Sequence, residues 1–236
     1  MIMKAKAAPP FLTIPRFSAI PFIRHGFGTA GSTERDLRNR EGAAGFRLVL
    51  LKQIHSEIVR FIDRLPERKL EGDALVTERP GLLLIIKTAD CLPVLIIDER
   101  RRVIAAVHCG WRGTLQLVLE RAVEGMMERY RCRNADLLAG FGPCISGDCY
   151  EVGEEVRQSF VGAGFPAEIF RSREDGGNKY LLDLGEANRW QLQRLGVPAA
   201  NIFRLEACTH CDKGYYSYRR DKNSKARMLS FIGMTR

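Results

Sequence analysis

The chain has 236 residues, of which 45% are hydrophobic and 28% charged, with a formal net charge of +9. That is the composition of an ordinary globular protein able to bury a sizeable core. No apolar run reaches the ~18 residues of a membrane span, and the positive charge is spread along the chain, so neither a membrane nor a nucleic acid is an expected partner. A basic surface does suit small anions such as phosphate.

The N-terminus lacks the charged start, long apolar middle and small-residue cleavage site of a signal peptide, and Ala7 to Pro21 is broken by four prolines. Residues 1–20 read as an extended arm on a single domain spanning 1–236. Without a secretory signal, the odd count of seven cysteines reads as reduced thiols or metal ligands in a cytoplasmic protein rather than as disulfides.

Phe46 to Gln53 is apolar and strand-like, and Glu57 to Ile62 alternates as its hairpin partner or successor. Ala74 to Thr77, Leu82 to Thr88, Val94 to Asp98 and Val103 to His108 are short β-branched or leucine-rich runs punctuated by Gly, Pro and charge. Leu82 to Ile86 lacks alternation, which predicts burial on both faces. Glu99-Arg100-Arg101-Arg102 between two of these runs reads as a hairpin turn. A helix follows, with Thr114 as its cap and Leu115, Val118, Leu119, Ala122, Val123 and Met126 as its apolar stripe. Asp136 to Phe141 is a further strand. Val152 to Val161 and Leu184 to Leu195 are amphipathic helices, the second stopped by Gly196 with Pro198 beyond it. Tyr215 to Tyr218 and Met228 to Ile232 read as strands. Strands come first in a cluster and then mix with helices, without steady βαβ alternation. The expected fold is therefore α+β, a single domain with mixed sheets flanked by helices.

Chemistry gathers where the strands end. Lys52-Gln53-Ile54-His55, Thr88-Ala89-Asp90-Cys91-Leu92-Pro93 and Val107-His108-Cys109-Gly110-Trp111-Arg112-Gly113 each deliver a soft or borderline ligand: His55, Cys91 and His108. Two imidazoles and a thiolate suit zinc, and three protein ligands leave a fourth position for water, whose pKa a metal lowers to about 7. Asp90 is a costly residue to place after an apolar strand without a polar task, and Asp90 or Asp73 could carry protons. Cys91 with His108 could instead be a nucleophile and base. A rival cluster, Cys208-Thr209-His210-Cys211, packs three donors into four residues, with Cys144 and Cys149 as the distant second pair for a structural zinc. Gly140 to Ile145 is a glycine-proline turn, and Tyr215 to Arg220 interleaves aromatics with arginines, a pattern suited to a purine-like ring and an anion.

On these residues the chain resembles the YfiH/YlmD family, also called the multicopper polyphenol oxidoreductase or laccase-domain family. The resemblance runs from His25-Gly26-Phe27 to the C-terminus. It also rests on Glu71-Gly72-Asp73-Ala74, Gly142-Pro143-Cys144-Ile145, Tyr150-Glu151-Val152, Asp183-Leu184, Cys208-Thr209 and Tyr216 to Asp221. It implies a cysteine-hydrolase-like fold and His55, Cys91 and His108 as ligands of zinc, with copper as the alternative metal. The implied reactions are phosphorolysis of purine nucleosides (adenosine, inosine, guanosine, methylthioadenosine) to base and ribose 1-phosphate, and deamination of adenosine. Older descriptions of the family imply copper-dependent polyphenol oxidation, and a Cys/His hydrolase acting on peptidoglycan precursors is a third reading. The expected catalytic residues are Asp90, Cys91 and Arg112; Arg40, Gln53, Asp73 and Arg219 are expected at the substrate, in a monomer or homodimer. Two departures stand out. Gly28 to Gly45 is compressed, leaving Arg40 as a poor match to a substrate arginine. Cys109 stands where alanine is more usual, which puts an extra thiol near the metal and predicts oxidation sensitivity. With four histidines in all, the composition favours nucleoside chemistry over a multicopper oxidase.

Overall fold

Leucine-rich and β-branched runs without polar alternation make strands that must be covered on both faces, and three of them form the centre of this molecule. The computed structural model describes residues 9–39, 45–172, 177–222 and 224–236. In chain order the elements begin with β1 (Phe11–Leu12), α1 (Pro15–Ser18), β2 (Ile23–Gly28), α2 (Glu34–Asn39), β3 (Arg47–Lys52) and β4 (Val59–Phe61). Then come β5 (Leu70–Glu71), β6 (Ala74–Thr77), β7 (Leu82–Thr88), β8 (Leu92–Asp98), β9 (Val103–Cys109), α3 (Trp111–Leu115) and α4 (Val118–Tyr130). The rest are β10 (Leu137–Phe141), β11 (Glu151–Gly153), α5 (Glu154–Gly162), β12 (Phe170–Ser172), β13 (Lys179–Leu182), α6 (Leu184–Arg194), β14 (Ile202–Arg204) and β15 (Met228–Met234).

Two six-stranded mixed sheets, ordered β1-β2-β15-β7-β3-β5 and β14-β10-β8-β9-β6-β4, lie face to face, and β11-β13-β12 form a small third sheet. The strand period of two sorts the side chains. Leu84 and Ile86 of β7, Ile97 of β8 and Ile104 and Ala106 of β9 meet between the large sheets. Val103, Ala105, Val107 and Cys109 of β9 face the other way, against Leu119, Ala122 and Met126 of α4 and Leu192 of α6. On the outer face of the first sheet, Leu83 and Ile85 pack with Leu37 of α2. The structure is thus a mixed α+β fold, and no described helix is long and apolar enough to cross a membrane.

Several expectations change in register or partner. Val59–Phe61 does not pair back onto β3; it joins the other sheet, parallel to β6, because the chain crosses between sheets after Lys52. Thr114 caps nothing. It lies inside α3, where its hydroxyl accepts from Asn188 Nδ2 and its carbonyl from Gln191 Nε2, and Leu117 in the left-handed region (φ 64°) separates α3 from α4. Helix α5 begins at Glu154 rather than Val152, since 151–153 form β11. The stretch 11–20 is not simply extended: β1 pairs with β2, Pro15–Ser18 make one helical turn, and Ile14, Phe17 and Ile20 are buried in the inter-sheet core. Tyr215 to Tyr218 run from a bend through irregular chain into a turn and form no strand. The hairpin between β8 and β9 turns at Glu99 to Arg102 as the charge run predicts, with Asp98 Oδ1 accepting from Arg101 N. Gly196 supplies the left-handed residue (φ 88°) that ends α6.

Candidate functional site

At one end of the two-sheet stack the chain passes repeatedly from one sheet to the other, and the polar residues collect there. Residues 53–58 link β3 to β4, Gly72-Asp73 link β5 to β6, and residues 89–91 link β7 to β8. The links carry His55, Asp73 and Cys91, and the end of β9 beside them carries His108. Donor atoms of His55, Cys91 and His108 lie within 4.8 Å of one another. The two imidazoles stand edge to face with centroids 4.9 Å apart. The fold thus brings together the three candidate ligands read from the sequence.

Asp73 orients that set. It is fully buried. Its Oδ1 accepts from His108 Nδ1 at 2.8 Å and from the His55 amide at 3.1 Å. Its Oδ2 accepts from the Ser56 amide, the Ser56 hydroxyl and the Ile54 amide at 2.6, 2.7 and 3.3 Å. Burial opposes its ionisation, but the hydrogen bonds from His108 and Ser56 outweigh that and lower its pKa to about 2. An ionised carboxylate only accepts, so Nδ1 of His108 carries the proton and Nε2 is left for a metal. Burial favours a neutral His108 ring, yet the charge of Cys91 and the bond to Asp73 raise its pKa to about 9. His55 moves the other way: burial first, and His108 second, lower its pKa and keep it a neutral ligand.

Backbone strain sits at the same place. His55 (φ 58°) and Asp90 (φ 81°) occupy the left-handed region, which non-glycine residues rarely adopt unless their surroundings hold them there. Asp73 holds the first. Asp90 holds itself and the far wall: its carboxylate accepts from Thr209 Oγ1 at 2.6 Å, Arg219 N at 2.7 Å and Ser217 Oγ at 3.1 Å, and its carbonyl accepts from Ile145 N at 2.9 Å. Gly110 is needed for its size, not for positive φ. A Cβ there would lie 2.9 Å from His55 Nδ1 and 3.1 Å from Cys91 Sγ.

These residues open into a cavity of about 670 Å³, within the usual range for small-molecule sites. Its cations are Lys52, Lys69, Lys87, Arg112, Arg219 and Arg227, and Asp90 is the one carboxylate among its described lining residues. Lys52 and Lys87 pair with Glu71 and Glu34. Arg112 stacks over Trp111 at 4.5 Å, and no carboxylate pairs with it among the described residues. Arg219 donates to the Glu151 carbonyl and lies 5.3 Å from the Tyr150 ring centroid. Tyr150 and Tyr218 complete an aromatic wall with Trp111. Burial, then the charge of Cys91, push the Tyr150 phenol up, so it stays a neutral donor.

The sequence-predicted residues therefore separate. His55, Cys91, His108, Arg112 and Arg219 line the cavity. Asp73 lies behind the ligands and meets them rather than substrate. Gln53 lines the cavity, but its amide is engaged with the Lys87 backbone in both directions at 2.8 Å. Asp90 reaches the cavity edge with its carboxylate tied to three donors, which suits an anchor better than a proton carrier. Arg40 lies outside the described residues. Cys109 is not beside the ligands: strand alternation turns it to the helix face, where burial pushes its thiol well above the usual range. Tyr150, Lys52, Lys69, Lys87 and Arg227 were not legible as site residues, because each depends on a contact between segments distant in sequence. Of the rival cluster, Cys208, His210 and Cys211 lie outside the cavity.

The family model described as multi-copper polyphenol oxidoreductase laccase matches residues 31–235. A purine nucleoside phosphorylase of Clostridium acetobutylicum is 40% identical over 184 residues, 77% of this chain and 75% of that protein. Adenosine deaminase RL5 from an unknown prokaryotic organism is 37% identical over 187 residues, 73% of this chain and 70% of that protein. Among solved structures, YlmD from Geobacillus stearothermophilus superposes with a TM-score of 0.86 at 27% identity, covering 98% of each chain.

Proposed function

The chain belongs to the multi-copper polyphenol oxidoreductase laccase family, and on that premise we propose that it is a metal-dependent purine nucleoside phosphorylase that also deaminates adenosine. One observation carries this reading: a single two-histidine, one-cysteine donor set opens into a cavity with several cations, an aromatic wall and almost no acid. Phosphate and a purine ring are what such a cavity binds. The relatives named purine nucleoside phosphorylase and adenosine deaminase support it.

The donor set fits a divalent ion of the zinc class. His55, Cys91 and His108 would hold it, with Asp73 fixing the His108 tautomer and Gly110 leaving room. When bound, such an ion supplies a Lewis acid that polarises a coordinated oxygen or lowers the pKa of water to about 7. Arg112 holds phosphate: it stacks on Trp111 and makes no hydrogen bond or ion pair among the described residues, whereas Arg219 and Arg227, which also lack a carboxylate partner, are engaged with backbone carbonyls. Tyr218 and Tyr150 stack on or flank the purine, and the neutral Tyr150 phenol offers a proton to the substrate. Asp90 is a positioning residue that ties Arg219 and Ser217 to the cavity edge. Laccase chemistry suits this site poorly: of the four histidines, His25 accepts from the Ile14 amide in the core and His210 lies outside the cavity, leaving two imidazoles for several coppers.

Product analysis with adenosine tests the reading. Adenine and ribose 1-phosphate should form only with phosphate, and inosine should form without it. Oxidation of a phenolic dye with no nucleoside turnover would reverse the ranking. A second reading rests on the Asp73–His108–Cys91 line itself, in which Cys91 is a nucleophile, His108 its base and Asp73 the orienting acid; peptidoglycan precursors are its candidate substrates.

A further inference from the structure

We propose that Cys149, His210 and Cys211, with Cys208 beside them, form a second metal site outside the cavity, one that takes a tetrahedral divalent ion of the zinc class and staples the C-terminal wall. The residues come from two segments about sixty positions apart. Donor atoms of Cys149, His210 and Cys211 lie within 4.8 Å of one another. Cys149 Sγ and Cys211 Sγ are 3.1 Å apart. Cys208 accepts from the Ser146 amide at 3.4 Å and its thiol also meets Cys211. The separation of the two sulfurs is well beyond a disulfide bond of about 2.05 Å. Two thiolates on one tetrahedral zinc, each at about 2.3 Å, stand roughly 3.7 Å apart, so a small outward shift admits an ion. Cys149, His210 and Cys211 supply three donors, and Cys208, whose thiol meets Cys211 but lies outside their 4.8 Å group, would complete a closed, structural set by moving in, unlike the open set of the cavity.

Entry is unobstructed: Cys211 is exposed, and Cys149 and His210 are half-buried. Binding would release the thiol protons to solvent. The location supplies a purpose. Between β14 and β15 the described residues form turns and one bridge, Cys144 to Cys208, yet this stretch presents Tyr218 and Arg219 to the cavity. Cys149 immediately precedes Tyr150 of the same wall. An ion joining Cys149 to His210 and Cys211 would fix both halves of that wall at once.

The test is metal content of the full chain reconstituted with zinc, repeated with cobalt to read thiolate-to-cobalt charge transfer. Two zinc ions per chain are expected, with one lost in Cys211→Ser, one lost in His108→Ala and both lost in the double variant. The His108→Ala protein loaded with cobalt should keep a strong thiolate band that Cys149→Ser weakens. The proposal is overturned if Cys211→Ser and Cys149→Ser retain the full metal content and band. It is also overturned if the purified protein is two hydrogens lighter with Cys149 and Cys211 peptides linked, which would make the pair a disulfide. Because the His108→Ala background removes the cavity site, failure here and failure of the proposed function are read separately.

Discussion

The cavity has two walls built on different terms. The ligand wall hangs on strand ends: His108 is the penultimate residue of β9, Cys91 precedes β8, and His55 follows β3, and Asp73 fixes the His108 ring and the His55 amide. The C-terminal part of the opposite wall, residues 205–227, which carries Tyr218, Arg219 and Arg227, has one isolated bridge and no strand among its described residues. Besides backbone bonds from Leu205 and Thr209 to Phe141 and Cys144, two side chains gather it. Asp90 captures Thr209, Ser217 and the Arg219 amide. Arg220 donates to the carbonyls of Thr209, Tyr215, His210 and Asp212 at 2.8, 2.8, 3.1 and 3.3 Å and pairs with Asp221. The contrast teaches that metal affinity and substrate affinity are separable here, because they rest on different supports.

The largest effect should come from breaking the ligand wall's one orienting group. Asp73→Ala strands five donors and frees the His108 ring. Metal affinity should fall by about 10–100-fold, measured by competition with a chelator, and thermal stability should fall with it. Unchanged affinity would make Asp73 a bystander. Arg112→Ala sharpens the division inside the substrate side. Losing a charge-assisted phosphate contact should reduce phosphorolysis efficiency roughly ten- to hundred-fold, seen as a raised phosphate requirement, while zinc content and deamination stay largely intact. If both activities fall together with zinc retained, Arg112 serves the nucleoside instead. Arg220→Gln loosens only the far wall. The KM for nucleoside should rise roughly ten-fold with the ion at His55, Cys91 and His108 retained, and loss of that ion would erase the contrast between the walls.

The smallest effect is graded with pH. In the metal-free protein His108 holds its second proton up to about 9, so proton and metal compete for Nε2. Apparent metal affinity should therefore rise with pH until about 9 and level off above it, by at most about ten-fold per unit for one released proton. A flat profile between 7 and 9 would mean that His108 is already neutral.

These two walls were unequally legible in the sequence. Leu82 to Thr88, Val94 to Asp98 and Val103 to His108 announce themselves because apolar runs buried on both faces need no partner to be recognised, and the ligands ride on their ends. Tyr215 to Tyr218 alternates like a strand, but Asp90, 127 and 129 positions away, captures the Ser217 hydroxyl and the Arg219 amide just beyond it, and no local pattern reports that. The same holds for β4, whose partner was decided by a sheet crossing, and for Thr114, whose hydroxyl serves α6 rather than its own helix. Asp73 is visible as a residue beside Gly72; its grip on three consecutive amides is visible only in the fold.

The central claim is that the ion held by His55, Cys91 and His108 is required for nucleoside turnover. Stripping the protein with a chelator, restoring zinc, and following adenosine turnover alongside the intact protein mass tests it directly. Turnover should disappear with the metal and return with zinc, with the protein mass unchanged throughout. Turnover indifferent to the chelator, with a substrate-derived adduct on Cys91, would contradict it and assign the site to a thiol hydrolase.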